Sequence, residues 1–171
     1  MQIVLIGMPY SGKSTLGKRL AKQLGMTFYD TDTWIEREFG AKVSDIFASA
    51  GEAQFREYEY QALEFMAGQQ QSVIATGGGI ITTVKNREKL KKLTSIIIYL
   101  DVPIPLLEAR AARKTGPVRP LLQQRQVREL FYERQRYYKE VATIRINCHR
   151  KPVPKILAEI ITKVEPLLAK E

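Results

Sequence analysis

Residues 7–14, near the N-terminus, constrain this chain more than any other segment. They read Gly-Met-Pro-Tyr-Ser-Gly-Lys-Ser and fit the pattern G-x-x-x-x-G-K-[ST]. The segment lies between an apolar, strand-like run, Gln2–Ile6, and a helical pattern that begins at Lys13, which is the context expected of a phosphate-binding loop. Backbone N–H groups in such a loop surround phosphate oxygens, and the N-terminus of the following helix favours an anion. The sequence therefore predicts a nucleoside triphosphate site.

Individual side chains of this loop have separate expected tasks. Lys13 neutralises phosphate charge, and the Ser14 hydroxyl binds Mg²⁺. Tyr10 occupies a position where many loops of small kinases have glycine, although the minimal pattern permits any residue there. The predicted nucleotide-binding residues of the loop are Tyr10, Ser11, Gly12, Lys13, Ser14 and Thr15.

Short apolar runs alternate along the chain with longer helical patterns. Strands are predicted at residues 3–6, 27–29, 72–75, 95–100 and 143–146. Helices are predicted at residues 13–24, 33–39, 44–50, 52–67, 84–92, 104–113, 127–141 and 153–168. Continuously apolar strands are typical of parallel sheets that helices cover on both faces. The pattern predicts a three-layer α/β fold in one domain, residues 1–171, with an exposed loop at 114–126.

Basic residues exceed acidic ones, giving this chain of 171 residues a formal net charge of +9 at pH 7. Residues 109–155 contain 13 Lys and Arg against 3 Asp and Glu, so the surplus lies in one stretch. Such a surplus fits nucleic acid, an anionic membrane or small anionic substrates. The stretch lacks the basic–aromatic signature of an RNA-binding motif, which favours small anions.

Several absences in the sequence point to the cytoplasm. The single cysteine, Cys148, excludes an internal disulfide, and no apolar run reaches the roughly 20 residues that span a bilayer. The N-terminus shows no basic leader or cleavage site. We expect a cytoplasmic monomer with no membrane partner and no nucleic-acid partner.

Three aspartates follow predicted strands and are candidates for metal and proton chemistry. Asp30 and Asp32 lie at the end of the second strand, where neighbouring side chains point in different directions. One can approach a metal while the other reaches an acceptor hydroxyl; alternatively, Asp32 or Thr33 only caps the following helix. Asp101, directly after the fourth strand, is a competing metal ligand that spacing alone does not separate from Asp30.

Three consecutive glycines, residues 77–79, follow the third strand, at the edge where open α/β sheets bind ligands. Arg56 is a candidate clamp for a substrate carboxylate, although it could instead pair with neighbouring glutamates. Arg119 lies in the 114–126 loop, and Arg134 lies in the helix after it. An arginine on a mobile loop can close over a γ-phosphate, but both arginines could also belong to a solvated basic surface.

Taken in order, these motifs resemble those of the shikimate kinase family. The resemblance covers essentially the full chain: the phosphate loop at residues 7–15, Asp-Thr-Asp at 30–32, Asp45-Ile-Phe, Gly-Glu-x-x-Phe-Arg ending at Arg56, Thr76-Gly-Gly-Gly79, Arg119-Pro-Leu-Leu, Glu133-Arg134 and Val141-Ala-Thr143. It implies a five-stranded parallel sheet of the P-loop NTPase type, in the order 2-3-1-4-5. It also implies a substrate-binding helical part at residues 31–67 and a short lid at 114–124.

The resemblance implies roles for the candidate residues as well. Asp32 would hold the 3-hydroxyl of shikimate and act as the base, and Asp30 would join Ser14 at Mg²⁺ through water, which sets Asp101 aside. Arg119 would be the lid arginine on ATP. The implied residues flanking adenine are Arg113, Arg150 and Pro152. The implied catalytic residues are Lys13, Asp32 and Arg119, and the implied shikimate-binding residues are Asp32, Arg56, Gly77, Gly78, Gly79 and Arg134.

We therefore expect an enzyme that transfers the γ-phosphate of ATP to the 3-hydroxyl of shikimate, giving shikimate 3-phosphate and ADP, a step of aromatic amino acid biosynthesis. One alternative is another small-metabolite kinase acting on gluconate or a nucleotide. The other is a non-catalytic nucleotide- or nucleic-acid-binding module. The two candidate carboxylate-binding arginines and the Thr-Gly-Gly-Gly segment favour shikimate.

Overall fold

The computed structural model describes residues 1–94, 96–113 and 119–169. Its five strands are β1 (Gln2–Ile6), β2 (Thr27–Asp30), β3 (Ser72–Ala75), β4 (Ile96–Asp101) and β5 (Ile144–Asn147). They form one sheet in the order β2-β3-β1-β4-β5, and every neighbouring pair is parallel. Helices lie on both sides of the sheet, so the predicted α/β fold and strand order are confirmed.

Eight helices accompany these strands in the described residues. They are α1 (Lys13–Leu24), α2 (Thr31–Phe39), α3 (Val43–Ala67), α4 (Val84–Leu93), α5 (Ile104–Ala112), α6 (Pro120–Gln124), α7 (Val127–Val141) and α8 (Val153–Leu168). A 3₁₀ turn, Ile80–Thr82, precedes α4. None of the helices in the described part of the chain is long and apolar enough to cross a bilayer.

Two elements differ from their predicted bounds for local reasons. Helix α2 begins at Thr31 rather than residue 33 because the Asp30 carboxylate caps it. The helices predicted at 44–50 and 52–67 lie within α3 on either side of a kink, where Gly51 has non-helical backbone (φ 78°, ψ 173°), as predicted. The predicted loop at 114–126 contains α6, which has proline at its first position, where no backbone N–H is needed. Residues 114–118 of the expected lid lie outside the described residues.

The sheet forms the centre of the core. Every residue of β1 and β3 is buried, as expected for strands covered on both faces. A smaller apolar cluster, Ile35, Ile46, Phe55 and Ala62, joins α2 to α3. Because all strands are parallel, their carboxyl ends meet at one edge, which collects the loops after β1, β2 and β3.

Candidate active site

The loop after β1 has the backbone of a phosphate cradle. Gly7 and Gly12 have φ values of 150° and 92°, which glycine adopts without a steric penalty. Tyr10 has φ 66°, a left-handed conformation that costs a residue with a Cβ about 1 kcal/mol. The Tyr10 carbonyl accepts a hydrogen bond of 2.8 Å from Arg110 Nη1. Tyr10 therefore has the left-handed backbone that favours glycine, at the position where many loops of small kinases have glycine.

Lys13 folds back over this loop. Its Nζ donates to the Gly7 carbonyl at 2.9 Å, the Met8 carbonyl at 2.8 Å and Ser11 Oγ at 3.2 Å. Burial, with a contribution from the positive charge of Arg119, lowers the pKa of Lys13 to about 7. A bound polyphosphate would favour the charged ammonium and raise this pKa again.

Ser14 and Asp30 meet beside the loop. Ser14 Oγ donates to Asp30 Oδ2 at 2.6 Å, while Asp30 Oδ1 accepts from the backbone N–H groups of Asp32 and Thr33. Asp30, rather than Asp32 or Thr33, is thus the helix cap. One Asp30 oxygen serves the helix and the other faces the phosphate loop.

Asp101, the competing metal candidate, is engaged elsewhere. It forms an ion pair with Arg145 and accepts a hydrogen bond of 3.1 Å from the Tyr99 hydroxyl. It does not line the cleft above the phosphate loop. The structure therefore brings Asp30, and not Asp101, to Ser14.

A cleft of about 540 Å³ opens above the phosphate loop. Its basic lining residues are Lys13, Lys18, Arg110, Arg113 and Arg119, and its acidic ones are Asp30, Asp32 and Glu36. Arg150 and Pro152, expected beside adenine, are exposed and are not among the residues that line the cleft. Their neighbours in sequence Cys148, Val153 and Ile156 line that end of it, and the adenine contacts of Arg150 and Pro152 stay predictions.

A smaller cavity of about 50 Å³ adjoins the cleft. It brings together residues from five separate parts of the sequence: Asp32, Arg56, Glu59, Gly77, Gly78, Gly79, Arg119 and Arg134. Its apolar wall includes Val43, Phe47, Phe55, Leu121, Leu122 and Leu130. Five residues line both spaces: Pro9, Asp32, Val43, Gly78 and Arg119. A ligand in the smaller cavity would therefore contact the nucleotide cleft directly.

Each glycine of the 77–79 segment faces a different neighbour. A Cβ on Gly77 would lie 2.7 Å from Asp32 Oδ1, and one on Gly78 would lie 2.6 Å from Pro9 Cδ. A Cβ on Gly79 would overlap the Arg56 guanidinium. Close approach, rather than an unusual backbone conformation, therefore requires glycine at all three positions.

The two candidate carboxylate-binding arginines differ in their partners. Arg56 forms ion pairs with Glu59 at 2.7 Å and Glu52 at 2.9 Å, so the expected pairing with neighbouring glutamates does occur. It also lines the cavity. Arg134 is buried, and within the described residues it forms no ion pair. A buried guanidinium without a carboxylate partner is costly, and its placement suits an anionic ligand.

Glu59 is a cavity residue that sequence reasoning missed. Burial raises its pKa to about 7, although the neighbouring Arg56 opposes the shift. The sequence did contain a signal for Glu59: it is an acidic residue in helical spacing with the apolar residues Phe55, Leu63 and Met66, on the buried face of α3. Arg110, which lines the cleft, was missed as well. It lies in the last turn of α5, and only the fold shows that this turn lies beside the phosphate loop.

Asp32 contacts Arg119 in this structure. Arg119 Nη1 lies 2.9 Å from Asp32 Oδ2, while Oδ1 is buried with no hydrogen-bond partner in the described part of the chain. Burial raises the pKa of Asp32, and the charge of Arg119 opposes the rise. The expected lid arginine therefore reaches the candidate base, at the junction of the two cavities.

A phosphate loop, the 2-3-1-4-5 sheet and a smaller cavity that adjoins the cleft are the arrangement of P-loop kinases that act on small molecules. Within that class, the sequence model described as shikimate kinase matches residues 9–165. The shikimate kinase of Sulfurihydrogenibium sp. (strain YO3AOP1) is 40% identical over 165 residues, covering 95% of this chain and 97% of that protein. This chain belongs to the shikimate kinase family.

Solved structures agree with this assignment. The shikimate kinase from Acinetobacter baumannii, in complex with shikimate, superposes with a TM-score of 0.86 at 35% identity, covering 99% of this chain and 94% of that one. A gluconokinase from Sinorhizobium meliloti reaches a TM-score of 0.55 at 18% identity, covering 99% and 97%, so it shares the fold alone. Membership of a kinase family identifies the chain as an ATP-using enzyme.

Proposed function

We propose that this chain transfers the γ-phosphoryl group of ATP to the 3-hydroxyl of shikimate, with ATP in the cleft and shikimate in the adjoining cavity. One observation carries the assignment of the two spaces. In a chain of the shikimate kinase family, a carboxylate, two buried arginines and three closely packed glycines line a single cavity that opens onto the phosphate loop. In this small space a carboxylate can accept hydrogen bonds from hydroxyl groups, while guanidinium and backbone N–H groups can donate to a carboxylate. This set suits a hydroxylated ring that bears a carboxylate.

Mg²⁺ fits the oxygen atoms beside the loop. Ser14 and Asp30 present hard oxygen donors, and their 2.6 Å separation shows that both reach one point. Mg²⁺ usually takes one or two protein ligands and completes its shell with water and phosphate oxygens. When bound, the ion would offset negative charge on the phosphates of ATP.

Asp32 is the proposed base. It would accept a hydrogen bond from the 3-hydroxyl of shikimate and orient its oxygen toward the γ-phosphorus. It would take the proton as the new P–O bond forms and the bond from the γ-phosphorus to the bridging oxygen breaks, releasing ADP. Phosphoryl transfer passes through a loose transition state, so positioning and charge stabilisation supply most of the catalysis. Lys13 and Arg119 would offset charge on the transferring group, which requires Arg119 to release Asp32 first.

Arg56 and Arg134 are the proposed clamp for the shikimate carboxylate. Guanidinium groups bind carboxylates through paired hydrogen bonds, and both side chains line the cavity. Glu59 and Glu52 hold Arg56 in place, whereas Arg134 stays available for the ligand. The apolar wall that includes Phe47 would cover the carbon face of the ring.

The remaining assignments follow from position. We assign Arg113 to the nucleotide end of the cleft, helices α2 and α3 (31–67) to acceptor binding, and residues 114–124 to the lid. We also expect a cytoplasmic monomer. Size-exclusion chromatography with light scattering on purified protein will check the monomeric state.

Nucleic-acid binding is not favoured by the charges that the structure describes. Several arginines of the 109–155 stretch pair with acids on the surface, including Arg125 with Glu133 at 2.7 Å and Arg128 with Glu108 at 3.4 Å. Salt-dependent binding to duplex DNA or RNA would contradict this expectation.

A coupled ADP-release assay tests the proposed function. With ATP and Mg²⁺, shikimate should stimulate ADP release strongly, whereas gluconate and AMP at the same concentration should not. Formation of shikimate 3-phosphate, checked by mass spectrometry, completes the test. Stronger stimulation by gluconate or AMP, or ADP release independent of any acceptor, would overturn the proposal.

A further inference from the structure

Tyr138 is a buried polar residue that no step above uses. It lies on α7, one helical turn after Arg134, and its side chain is fully buried. Its hydroxyl donates a hydrogen bond to the carbonyl of Gly78, in the glycine segment that lines both cavities. One face of α7 thus presents a guanidinium to the acceptor cavity and a hydroxyl to the cavity's backbone.

The contact fixes one peptide unit. The Gly78 carbonyl and the Gly79 N–H belong to the same planar trans peptide, so they point to opposite sides of it. With the carbonyl held by Tyr138, the Gly79 N–H is turned away from α7. Within the described residues this N–H has no acceptor, and Gly79 lines the acceptor cavity.

Neighbouring contacts leave Gly78 little freedom to move. On one side its Cα is packed against Pro9 of the phosphate loop, so closely that a Cβ would lie 2.9 Å from the Pro9 nitrogen. The Tyr138 ring stacks on the buried Tyr99 ring, with centroids 5.1 Å apart and planes at 17°. The donor is therefore rigid as well as buried. Burial also raises the pKa of Tyr138 to about 12, so the hydroxyl keeps its proton across the working pH range.

We propose that Tyr138 is a positioning residue for the acceptor: its hydroxyl holds the Gly78 carbonyl so that the Gly78–Gly79 peptide presents its N–H to shikimate. This inference rests on the proposed function of the cavity. Tyr138 itself does not contact the substrate. Loss of the hydroxyl acts on shikimate binding from the acceptor side, where it holds the Gly78 carbonyl and adjoins Arg134, while the nucleotide cleft keeps its own contacts.

Tyr138→Phe tests the proposal, because it removes the hydroxyl and retains the ring stack. We expect the KM for shikimate to rise about three- to tenfold, the usual worth of one hydrogen bond, with the KM for ATP and kcat changed less than twofold. Tyr99→Phe is the matched control. It loses the hydroxyl of the other buried ring in the same stack, one that donates to Asp101, outside both cavities.

The control separates positioning from stability. Both variants should lower the melting temperature, but only Tyr138→Phe should raise the shikimate KM. An unchanged shikimate KM in Tyr138→Phe, or an equal rise in Tyr99→Phe, would overturn the proposal. Wild-type activity with shikimate is measured in parallel, so a failure of the proposed function itself is seen separately.

A second variant covers the case in which Tyr138→Phe does not fold. Tyr138→4-aminophenylalanine keeps an N–H donor at the para position and the same ring. It should fold and keep the shikimate KM within about threefold of wild type. A rise of the shikimate KM beyond tenfold in this variant, with its melting temperature preserved, would contradict a role for the donor.

Discussion

Asp30 and Asp32 are separated by one residue and face different partners. The Asp30 carboxylate contacts the Ser14 hydroxyl and the backbone at the start of α2, whereas Asp32 contacts Arg119 at the edge of the acceptor cavity. Helix α2 begins between them, at Thr31, so the two side chains leave the backbone in different directions. Their chemistry can therefore be separated by single substitutions.

Asp32→Asn should lower kcat by about 10²- to 10⁴-fold, the usual contribution of a general base, because the amide cannot accept the hydroxyl proton. Steady-state ADP release with saturating ATP and shikimate measures the effect. Asp101→Asn is the matched control, since Asp101 also follows a strand but does not line the cleft. Normal turnover in Asp32→Asn would refute its role as the base.

Asp30→Asn should raise the Mg²⁺ concentration needed for half-maximal activity about tenfold, since the carboxylate that would hold a water of the Mg²⁺ shell loses its negative charge. Asparagine is as good a helix N-cap as aspartate, so α2 and the melting temperature should change little. A Mg²⁺ titration of activity at fixed ATP provides the measurement. The assignment fails if Asp101→Asn shifts the Mg²⁺ requirement as much as Asp30→Asn does.

The glycine segment after β3 is an element in which each position has its own neighbour. Gly79→Ala should displace the Arg56 guanidinium and raise the shikimate KM about tenfold, leaving the ATP KM unchanged. Gly78→Ala should disturb Pro9 of the phosphate loop and so raise both KM values. Gly68→Ala is the control, because its Cβ would meet nothing closer than 3.7 Å and its φ is −83°. Equal effects from all three variants would disprove position-specific packing.

Element order and the phosphate loop could be predicted because their signals are local. The motif ending at Ser14 and the apolar strands depend on neighbours in sequence, and the parallel order followed from the resemblance. Helix bounds were wrong where a side chain decides them, as Asp30 does for α2. The kink at Gly51, with its non-helical backbone, separates the two helices that the sequence predicted.

Contacts between distant segments could not be predicted from spacing. Arg119 reaches Asp32 across 87 positions of sequence, and Tyr138 reaches Gly78 across 60. The same limit applied to Asp101, whose pairing with Arg145 on the neighbouring strand depends on the register of β4 and β5. Residue type indicated chemistry, but only the fold decides which groups meet.

At the scale of the whole molecule, we expect Arg134 to lower the stability of the unliganded protein while it strengthens shikimate binding. Arg134→Met should raise the free energy of unfolding of the unliganded protein by about 1 kcal/mol, because it removes a buried guanidinium that no carboxylate pairs with in the described structure. It should also raise the shikimate KM about 100-fold, as expected for a lost charged hydrogen bond. Urea unfolding and steady-state kinetics measure the two effects. Arg136→Met, an exposed change on the same helix, should alter neither the free energy of unfolding nor the shikimate KM. A lower free energy of unfolding in Arg134→Met would contradict the prediction.

Glu59 should make stability depend on pH. Its pKa in the folded protein, about 7, lies above the ordinary value of 4.5 for a glutamate, so the folded state binds more protons between these values. The corresponding stability is complete below pH 4.5 and is lost as the pH rises toward 7. Urea unfolding from pH 5 to 8 should therefore show a fall in stability that is smaller in Glu59→Gln. Parallel curves for the two proteins would rule out this titration.

The basic lining of the cleft has a consequence for kinetics. Lys18, Arg110 and Arg113 line the open space above the phosphate loop, whereas several arginines elsewhere in the 109–155 stretch are neutralised by surface acids. Five basic residues line the cleft against three acidic ones. An excess of positive charge in a concave, low-dielectric space concentrates the field there and attracts polyanions before any contact forms. The net charge thus acts on the rate of encounter with ATP, an effect that weakens as ionic strength shortens the range of the field.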